Sequence, residues 1–356
     1  MAVPTCNGGR HLREALAGIF RCDTPHELLI VDDRSEDDTL TIAREIVGDA
    51  GRILVNGERL GLAGNWNRCV ALSRSPVVAI FHQDDVMLPG HLATHLAAHR
   101  QNPALGWVAS AATMIDERGR ALPEAAVERG GLGEQDRDFT DGIGGAGFAG
   151  GFGMPELTYR NPLRCSAVTI RREAHAHVGG FDPSYRYVVD WDFWLRVANV
   201  RPVAWRGQTT VAVRWHPASE THRFAAGMAD LDETTRLLRL MNELVSQAFK
   251  EVNRWPLRAE RRLARAYLNR AHVAFRQGDP ALARRALHRA MVIAPDRTLG
   301  QLALDPRLLA QMAAVFLASG LVRHRHRARF AAGTRAGDGG GRLPDSRDGA
   351  IMKGPT

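Results

Sequence analysis

Short apolar runs alternate with segments of helical spacing through residues 1–110. In GGRHLREALAGIF, Leu12, Leu16 and Ile19 share one face, which predicts an amphipathic helix. ELLIVDD reads as a buried strand, GRILVN as a second and PVVAIFHQDD as a third. Between them, SEDDTLTIAREIV predicts a helix with Ser35 as its N-cap and acids in the first turn, and GNWNRCVALSRS predicts another. PGHLATHLAAHRQNP predicts a helix that begins near Pro89 and is stopped by Pro103, and LGWVASAATMID a further strand. This alternation indicates an α/β domain with a largely parallel sheet.

The pattern breaks at GGLGEQDRDFTDGIGGAGFAGGFG (Gly130 to Gly153), which is glycine-rich, without period, and reads as a mobile loop. Order returns in NPLRCSAVTIRREAHAHVGGFDPSYRYVVDWDFWLRVANV, read as a strand, a short helix, a loop and a helix from about Asp190. VAWRGQTTVAVRWHP has the look of a hairpin. Beyond about Phe224 the pattern is helical only. LARAYLNRAHVAFRQGDPALARRALHRAMVIAP predicts two amphipathic helices joined at QGDP and closed by Pro295, similar to a single tetratricopeptide repeat. One repeat is too few for a solenoid, so an appendage is predicted. The expected organisation is an α/β domain over 1–222, a helical extension over 223–333 and a disordered tail over 334–356.

Net charge is +8, and its distribution changes the picture more than its size. Residues 255–335 hold sixteen arginines against four acids, so they carry +12 and the remainder −4. Four cysteines without Cys-x-x-Cys spacing argue against a structural zinc site and a disulfide framework, and no run approaches a membrane span. With no signal peptide apparent, a cytoplasmic location is expected. The run RHRHRAR (Arg323 to Arg329) reads as a solvated helix face or as a patch for the inner membrane surface. Few aromatics interleave with the basic residues and no nucleic-acid module is present, so nucleic acid is not an expected partner.

Candidate chemistry sits where acids follow apolar runs. Asp32 and Asp33 end one predicted strand, and Asp84 and Asp85 end another. In open α/β sheets, ligands bind beyond the carboxyl ends of the strands. A carboxylate pair there can accept ligand hydrogen bonds, hold a hard divalent cation with substrate phosphates, or simply cap the next helix. Asp37 and Asp38 fit the bland reading of acids at a helix N-terminus. Trp66, Trp191 and Trp194 fit core positions better than sugar platforms.

In order and spacing, PTCNGGRHLREAL, LLIVDDRSEDDT, NGERLGLAGNWNRCVALSRS, FHQDDVMLPGHL, GGFDPSY and VDWDFWLRVA resemble family 2 glycosyltransferases of the GT-A fold, over roughly residues 1–220. The resemblance implies a mixed, mainly parallel sheet flanked by helices, and a nucleotide-diphospho-sugar donor. It places Pro4, Thr5, Asn7 and Asp33, with Asp32 beside it, against the nucleotide, and Asn67 at a further donor-binding position. Asp84 would lie nearer the ribose, and Asp85 would hold Mn²⁺ or Mg²⁺. His82 stands where many members carry Asp, and His216 matches a position that sometimes approaches the metal, with an ordinary turn histidine as the alternative. The base of an inverting transfer would be Asp190, preceded here by Val189 where the family has Glu, with Asp192 as the fallback. A helix N-terminus should lower the Asp190 pKa. The family's opening strand is reduced to Met1-Ala2-Val3, which predicts a shortened central strand. The expected acceptor is a glycan, lipid-linked or protein hydroxyl of the cell envelope. A non-catalytic scaffold with a degenerate transferase domain is the competing reading.

Overall fold

The computed structural model describes residues 1–122, 142–144, 157, 160–216, 227–244, 257–304, 309, 310 and 313. The chain divides into two compact units, 1–263 and 264–356.

The first unit opens with three βα steps. Strand β1 (Ala2–Thr5) leads to helix α1 (Gly9–Phe20), β2 (Leu29–Asp32) to α2 (Thr39–Val47), and β3 (Arg52–Val55) to α3 (Gly61–Leu72). The three strands form a parallel sheet in the order β1-β2-β3. β1 and β2 are buried at every position, so these apolar runs do not alternate with polar residues. The shortening expected of β1 is not seen: it spans four residues, as do β2 and β3, and pairs with β2 throughout. α1 buries Leu12, Leu16 and Ile19, the face read from the sequence.

A second, mixed sheet continues from the first. Strand β4 (Val77–Ala79) joins it through a parallel bridge between Ala2 and Ile80 and the Phe81 N–H donating to the Ala2 carbonyl at 2.9 Å. Next come β5 (Val86–Met87), α4 (His91–Gln101), β6 (Trp107–Ile115), β7 (Gly142–Gly144), β8 (Val168–Arg171), α5 (Arg172–Val178), α6 (Val189–Val200) and β9 (Val203–Arg214). Their order is β4-β8-β6-β9-β5, with β7 on β9; β6 and β9 run parallel and the other pairs antiparallel. The hairpin expected in VAWRGQTTVAVRWHP is instead the single strand β9. Pairing jumps from Arg206 with Ser110 to Thr209 with Ala111, past Gly207 and Gln208, so a turn-like sequence makes a bulge. The glycine-rich segment contributes β7; its other residues, like the tail, lie outside the described residues.

Helix α7 (Ala229–Leu244), placed by sequence in an extension beginning at 223, falls within the first unit. Helix α8 (Leu257–Arg276) spans the division at Leu263. The second unit holds the rest of α8, then α9 (Pro280–Ile293) and α10 (Pro295–Leu304). α8 and α9 bury their alanine- and leucine-rich faces. Asp279 caps α9 by accepting the Leu282 N–H at 2.9 Å, with Pro280 behind it. α9 ends at Ile293, just ahead of Pro295 as expected. Pro295 itself opens α10, because a first-turn proline sacrifices no hydrogen bond.

Candidate active site

The first two strands end in interlocked turns. Asp32 is fully buried, and its carboxylate accepts Thr5 Oγ1 at 2.7 Å, Ser35 Oγ at 2.6 Å and the Ser35 N–H at 2.8 Å. Asp33 accepts Asn56 Nδ2 at 2.8 Å and the N–H groups of Leu60 and Gly61 at 2.7 and 2.8 Å. Each carboxylate thus uses three of its roughly four acceptor sites within the protein. Ser35 is committed to Asp32, so it does not cap α2, which starts at Thr39. Asp37 is structural as expected, but it serves two elements: it accepts the Gly9 N–H of α1 and the Thr39 N–H, both at 3.1 Å.

Pro4 and Thr5 complete β1, and Asn7 projects beyond it, exposed and in the left-handed region with φ 49°. Asn7 Oδ1 accepts the Glu36 N–H at 2.8 Å, which ties the two turns together. The next residue packs against Gln83: a Cβ on Gly8 would lie 2.0 Å from Gln83 Oε1. Gln83 in turn pairs with the Cys6 backbone, accepting its N–H at 2.9 Å and donating to its carbonyl at 3.1 Å. The loop after β4 is therefore held against the end of β1, and both acidic pairs face the same edge of the sheet.

That loop carries a concentrated set of ligand atoms. His82, Asp84 and Asp85 each bring one within 4.8 Å of the others. Asp85 is buried; it accepts Ser166 Oγ at 2.5 Å and the Arg214 N–H at 2.9 Å. Burial and the neighbouring Asp84 charge push its carboxyl up to about 6. Asp84 accepts or shares a proton with His216 Nε2 at 3.0 Å. For Asp84, burial, which would raise the pKa, is outweighed by His216 and His82, and its carboxyl lies below the ordinary value. His82 is fixed twice: its ring stacks on Trp66 at 5.3 Å, and its N–H donates to Ser166 Oγ at 3.0 Å. The Arg214 guanidinium, side chain fully buried, braces the loop through the Asp84 carbonyl at 2.9 Å and Glu14 at 2.5 Å.

Asp190 lies in the first turn of α6, where Oδ2 accepts Asn161 Nδ2 at 3.2 Å and Oδ1 accepts the Trp191 N–H at 2.7 Å. Its pKa is raised, not lowered as expected from the helix terminus: desolvation outweighs the hydrogen bonds and the nearby His82 and Arg164 charges. Burial, and after it the Asp190 and Asp85 charges, push the buried Cys165 thiol well above its ordinary value.

Two sequence-derived positions turn inward. Asn67 donates to the Phe181 carbonyl at 2.8 Å and accepts the Phe181 N–H at 2.8 Å, with His175 Nε2 2.9 Å away. It clamps the turn before α6, while Asn65, bonded to Asn56 at 3.0 Å, is the asparagine that joins the Asp33 network. Asp192, the fallback base, is gripped by Arg196 through Nε at 2.9 Å and a terminal nitrogen at 2.6 Å. Trp66, Trp191 and Trp194 are buried, as the core reading requires. Sequence reasoning missed Ser166 and Arg214, which carry no local signal, and treated His82 only as a departure.

Comparison with known proteins bears on this arrangement. Residues 1–154 match the model of glycosyl transferase family 2. The uncharacterized protein MT1568 of Mycobacterium tuberculosis is 28% identical over 242 residues, 67% of this chain and 73% of that protein. The succinoglycan biosynthesis protein ExoU of Rhizobium meliloti is 28% identical over 127 residues, 35% of either chain. Among solved structures, S. aureus TarS 1–349 in complex with UDP-GlcNAc aligns with a TM-score of 0.59 at 16% identity, covering 92% of this chain and 91% of that one. The mannosyltransferase PcManGT from Pyrobaculum calidifontis, in complex with GDP-Man and Mn²⁺, aligns with a TM-score of 0.53 at 16% identity, covering 94% and 85%. Residues 1–154 are thus similar to glycosyl transferase family 2, and the fold is the GT-A fold shared with these solved structures.

Proposed function

We propose that this chain is an inverting, metal-dependent glycosyltransferase that moves a sugar from a nucleotide-diphospho-sugar to an acceptor hydroxyl of the cell envelope, on a glycan, lipid-linked or protein acceptor. The observation that carries the reading is the cluster of His82, Asp84 and Asp85, which bring ligand atoms within 4.8 Å of one another in the loop after β4. UDP-GlcNAc and GDP-Man in similarly folded structures support the donor class, and ExoU supports an envelope polysaccharide as product.

The residues present fit a divalent cation. Two carboxylates and an imidazole lie within 4.8 Å, and the cost of ionising Asp85 beside Asp84 is relieved by a positive charge. Mn²⁺ or Mg²⁺ held there by Asp85, with Asp84 and His82 alongside, would neutralise charge on the departing diphosphate. The Thr5–Asn7 and Asp33–Ser35 turns form the wall for the nucleotide, with Asp32 and Asp33 holding the turns' shape. Asp84 lies nearer the ribose. Asn67 acts on this site through the 179–182 turn. Asp190 removes the proton of the attacking hydroxyl, and its raised pKa makes it a stronger base than a solvated carboxylate.

Among the described residues no helix is long and apolar enough to cross a membrane. The arginines exposed on α8 and α9 suit a peripheral contact with anionic lipid, tested by co-sedimentation with phosphatidylglycerol vesicles. The central experiment incubates the protein with UDP-GlcNAc, GDP-Man and other nucleotide-sugars, with and without Mn²⁺, and follows hydrolysis and thermal shift. Mn²⁺-dependent turnover lost in Asp85→Ala is the expected result. Binding without turnover for every donor and acceptor would favour the scaffold, to which Val189 in place of Glu lends its one support.

A further inference from the structure

Helix α7 reaches back to the entrance of α6. Glu233 Oε2 accepts the backbone N–H of Tyr187 at 2.7 Å, Arg186 at 3.0 Å and Val188 at 3.3 Å, and Oε1 accepts Arg186 at 3.1 Å. Three successive N–H groups converging on one carboxylate form a backbone nest, filled here by a side chain from another helix. One turn further along α7, the Arg236 guanidinium lies 3.8 Å from the Tyr185 ring centroid and donates to the Ser184 carbonyl and hydroxyl at 3.2 and 2.9 Å. The two side chains together hold residues 184–188.

This segment feeds directly into the first turn of α6. Val188, at the helix N-cap, offers no side-chain cap of its own, and Asp190 follows two residues later. Arg186 and Tyr187 are exposed, so without Glu233 their N–H groups would be left to water and the segment to many conformations. Among the described residues, the direct partners of the Asp190 carboxylate are the Asn161 amide and its neighbour's N–H. Its orientation therefore depends on where the first turn of α6 is set.

We propose that Glu233 is a positioning residue of the transfer reaction, fixing the entrance of α6 so that the Asp190 carboxylate faces the acceptor hydroxyl. The inference rests on the reading of Asp190 as base. Glu233 touches neither donor nor acceptor, so its loss should lower kcat and leave donor KM alone. A misplacement of about 1 Å can cost on the order of 10²-fold in rate.

The test compares Glu233→Ala, Glu233→Gln, Asp190→Asn and the wild type, using whichever of UDP-GlcNAc or GDP-Man the wild type turns over. Hydrogen exchange of the Arg186–Val188 amides is measured alongside. Expected are a kcat loss of about tenfold or more for Glu233→Ala, a smaller loss for Glu233→Gln, donor KM within about twofold, and faster exchange at the three amides. Arg239→Ala, an exposed site on the same helix, should match the wild type. If Glu233→Ala keeps its kcat while those amides exchange faster, the positioning role is overturned and the contact is structural. If Glu233→Ala does not fold, the isosteric Glu233→Gln decides by the same two readouts. Asp190→Asn separates the premises: wild-type turnover there overturns the base reading, whereas loss there with normal Glu233 variants overturns the positioning role alone.

Discussion

Helix α4 carries three histidines that should make the fold acid-labile. His91, His95 and His99 recur every four residues, so they line one face, and all three are buried. His91 Nδ1 meets Thr210 Oγ1 at 2.8 Å, and His95 Nδ1 and His99 Nε2 share Thr169 Oγ1 at 3.1 Å each. Burial pushes the pKa of His91 from 6.5 down to about 3 and that of His99 to about 4, with the N-terminal ammonium and Arg171 as the respective lesser causes. His95 is driven well below 6.5 by burial, then by His91, His99 and Arg206. The folded pKa values lie below the unfolded ones, so between about pH 4 and 6.5 the unfolded chain binds more protons and stability rises with pH. At pH 5 His91 and His99 each cost about 2 kcal/mol, from 1.5 units at about 1.36 kcal/mol per unit. Together these two cost about 4 kcal/mol, a large part of the 5–15 kcal/mol typical of a domain, and His95 acts in the same direction. Asp85, raised to about 6, works in the opposite sense by about 1 kcal/mol and does not reverse the trend. The assay is urea unfolding near pH 7.5 and pH 5 for the wild type and His91→Leu. The variant's absolute stability is not the readout; its loss between the two pH values should be about 2 kcal/mol smaller than the wild type's. Equal losses in the two proteins, or a wild type equally stable at both pH values, would refute the reasoning.

Other consequences follow from the acids at the sheet edge. Asp85→Asn should raise the metal-free protein's stability at neutral pH by about 1–3 kcal/mol, because it removes a buried charge beside Asp84, while abolishing any thermal shift on adding Mn²⁺. Melting curves with and without Mn²⁺ check both halves. Asp33→Asn should cost about 2 kcal/mol in urea unfolding, since an amide NH₂ would face a backbone N–H at Leu60 or Gly61. Asp190→Asn should lower turnover by about 10²–10⁴-fold with donor affinity retained, whereas a mere helix cap would tolerate the change, as Asn caps as well as Asp.

The second and third βα steps were legible because each strand is a short, mainly apolar run followed by a turn rich in Asp, Asn or Gly, whereas β1 was expected only as a shortened strand. Those features are local, and local pattern is what a single sequence displays. The bulge in β9 was not legible, since Gly207-Gln208 reads as a turn and only the pairing with β6 makes it a bulge. Ser35 was misread for a related reason. As a residue between Asp and a helical pattern it suits an N-cap, but Asp32 lies three residues back and captures both its hydroxyl and its N–H. The candidate site was legible in its acids and illegible in what holds them. Ser166 bonds Asp85 across 81 positions, and Arg214 does so across 129.

Those partners also sort the acids, which no spacing could. Asp32, Asp33 and Asp37 resemble Asp84, Asp85 and Asp190 as letters in a sequence. Asp32 and Asp33 each satisfy three donors from their own turns, and Asp37 serves Gly9 and Thr39; removing such a carboxylate strands backbone N–H groups, so their first duty is shape. Among the described residues, Asp84, Asp85 and Asp190 have fewer donors for their burial. Asp85 pays for ionisation beside Asp84, and Asp190 is kept basic by its surroundings. A fold tolerates such under-served carboxylates where something else completes them. A cation at Asp85 and a proton-bearing hydroxyl at Asp190 would supply what each lacks, which is why stability and activity should move in opposite directions when Asp85 is neutralised.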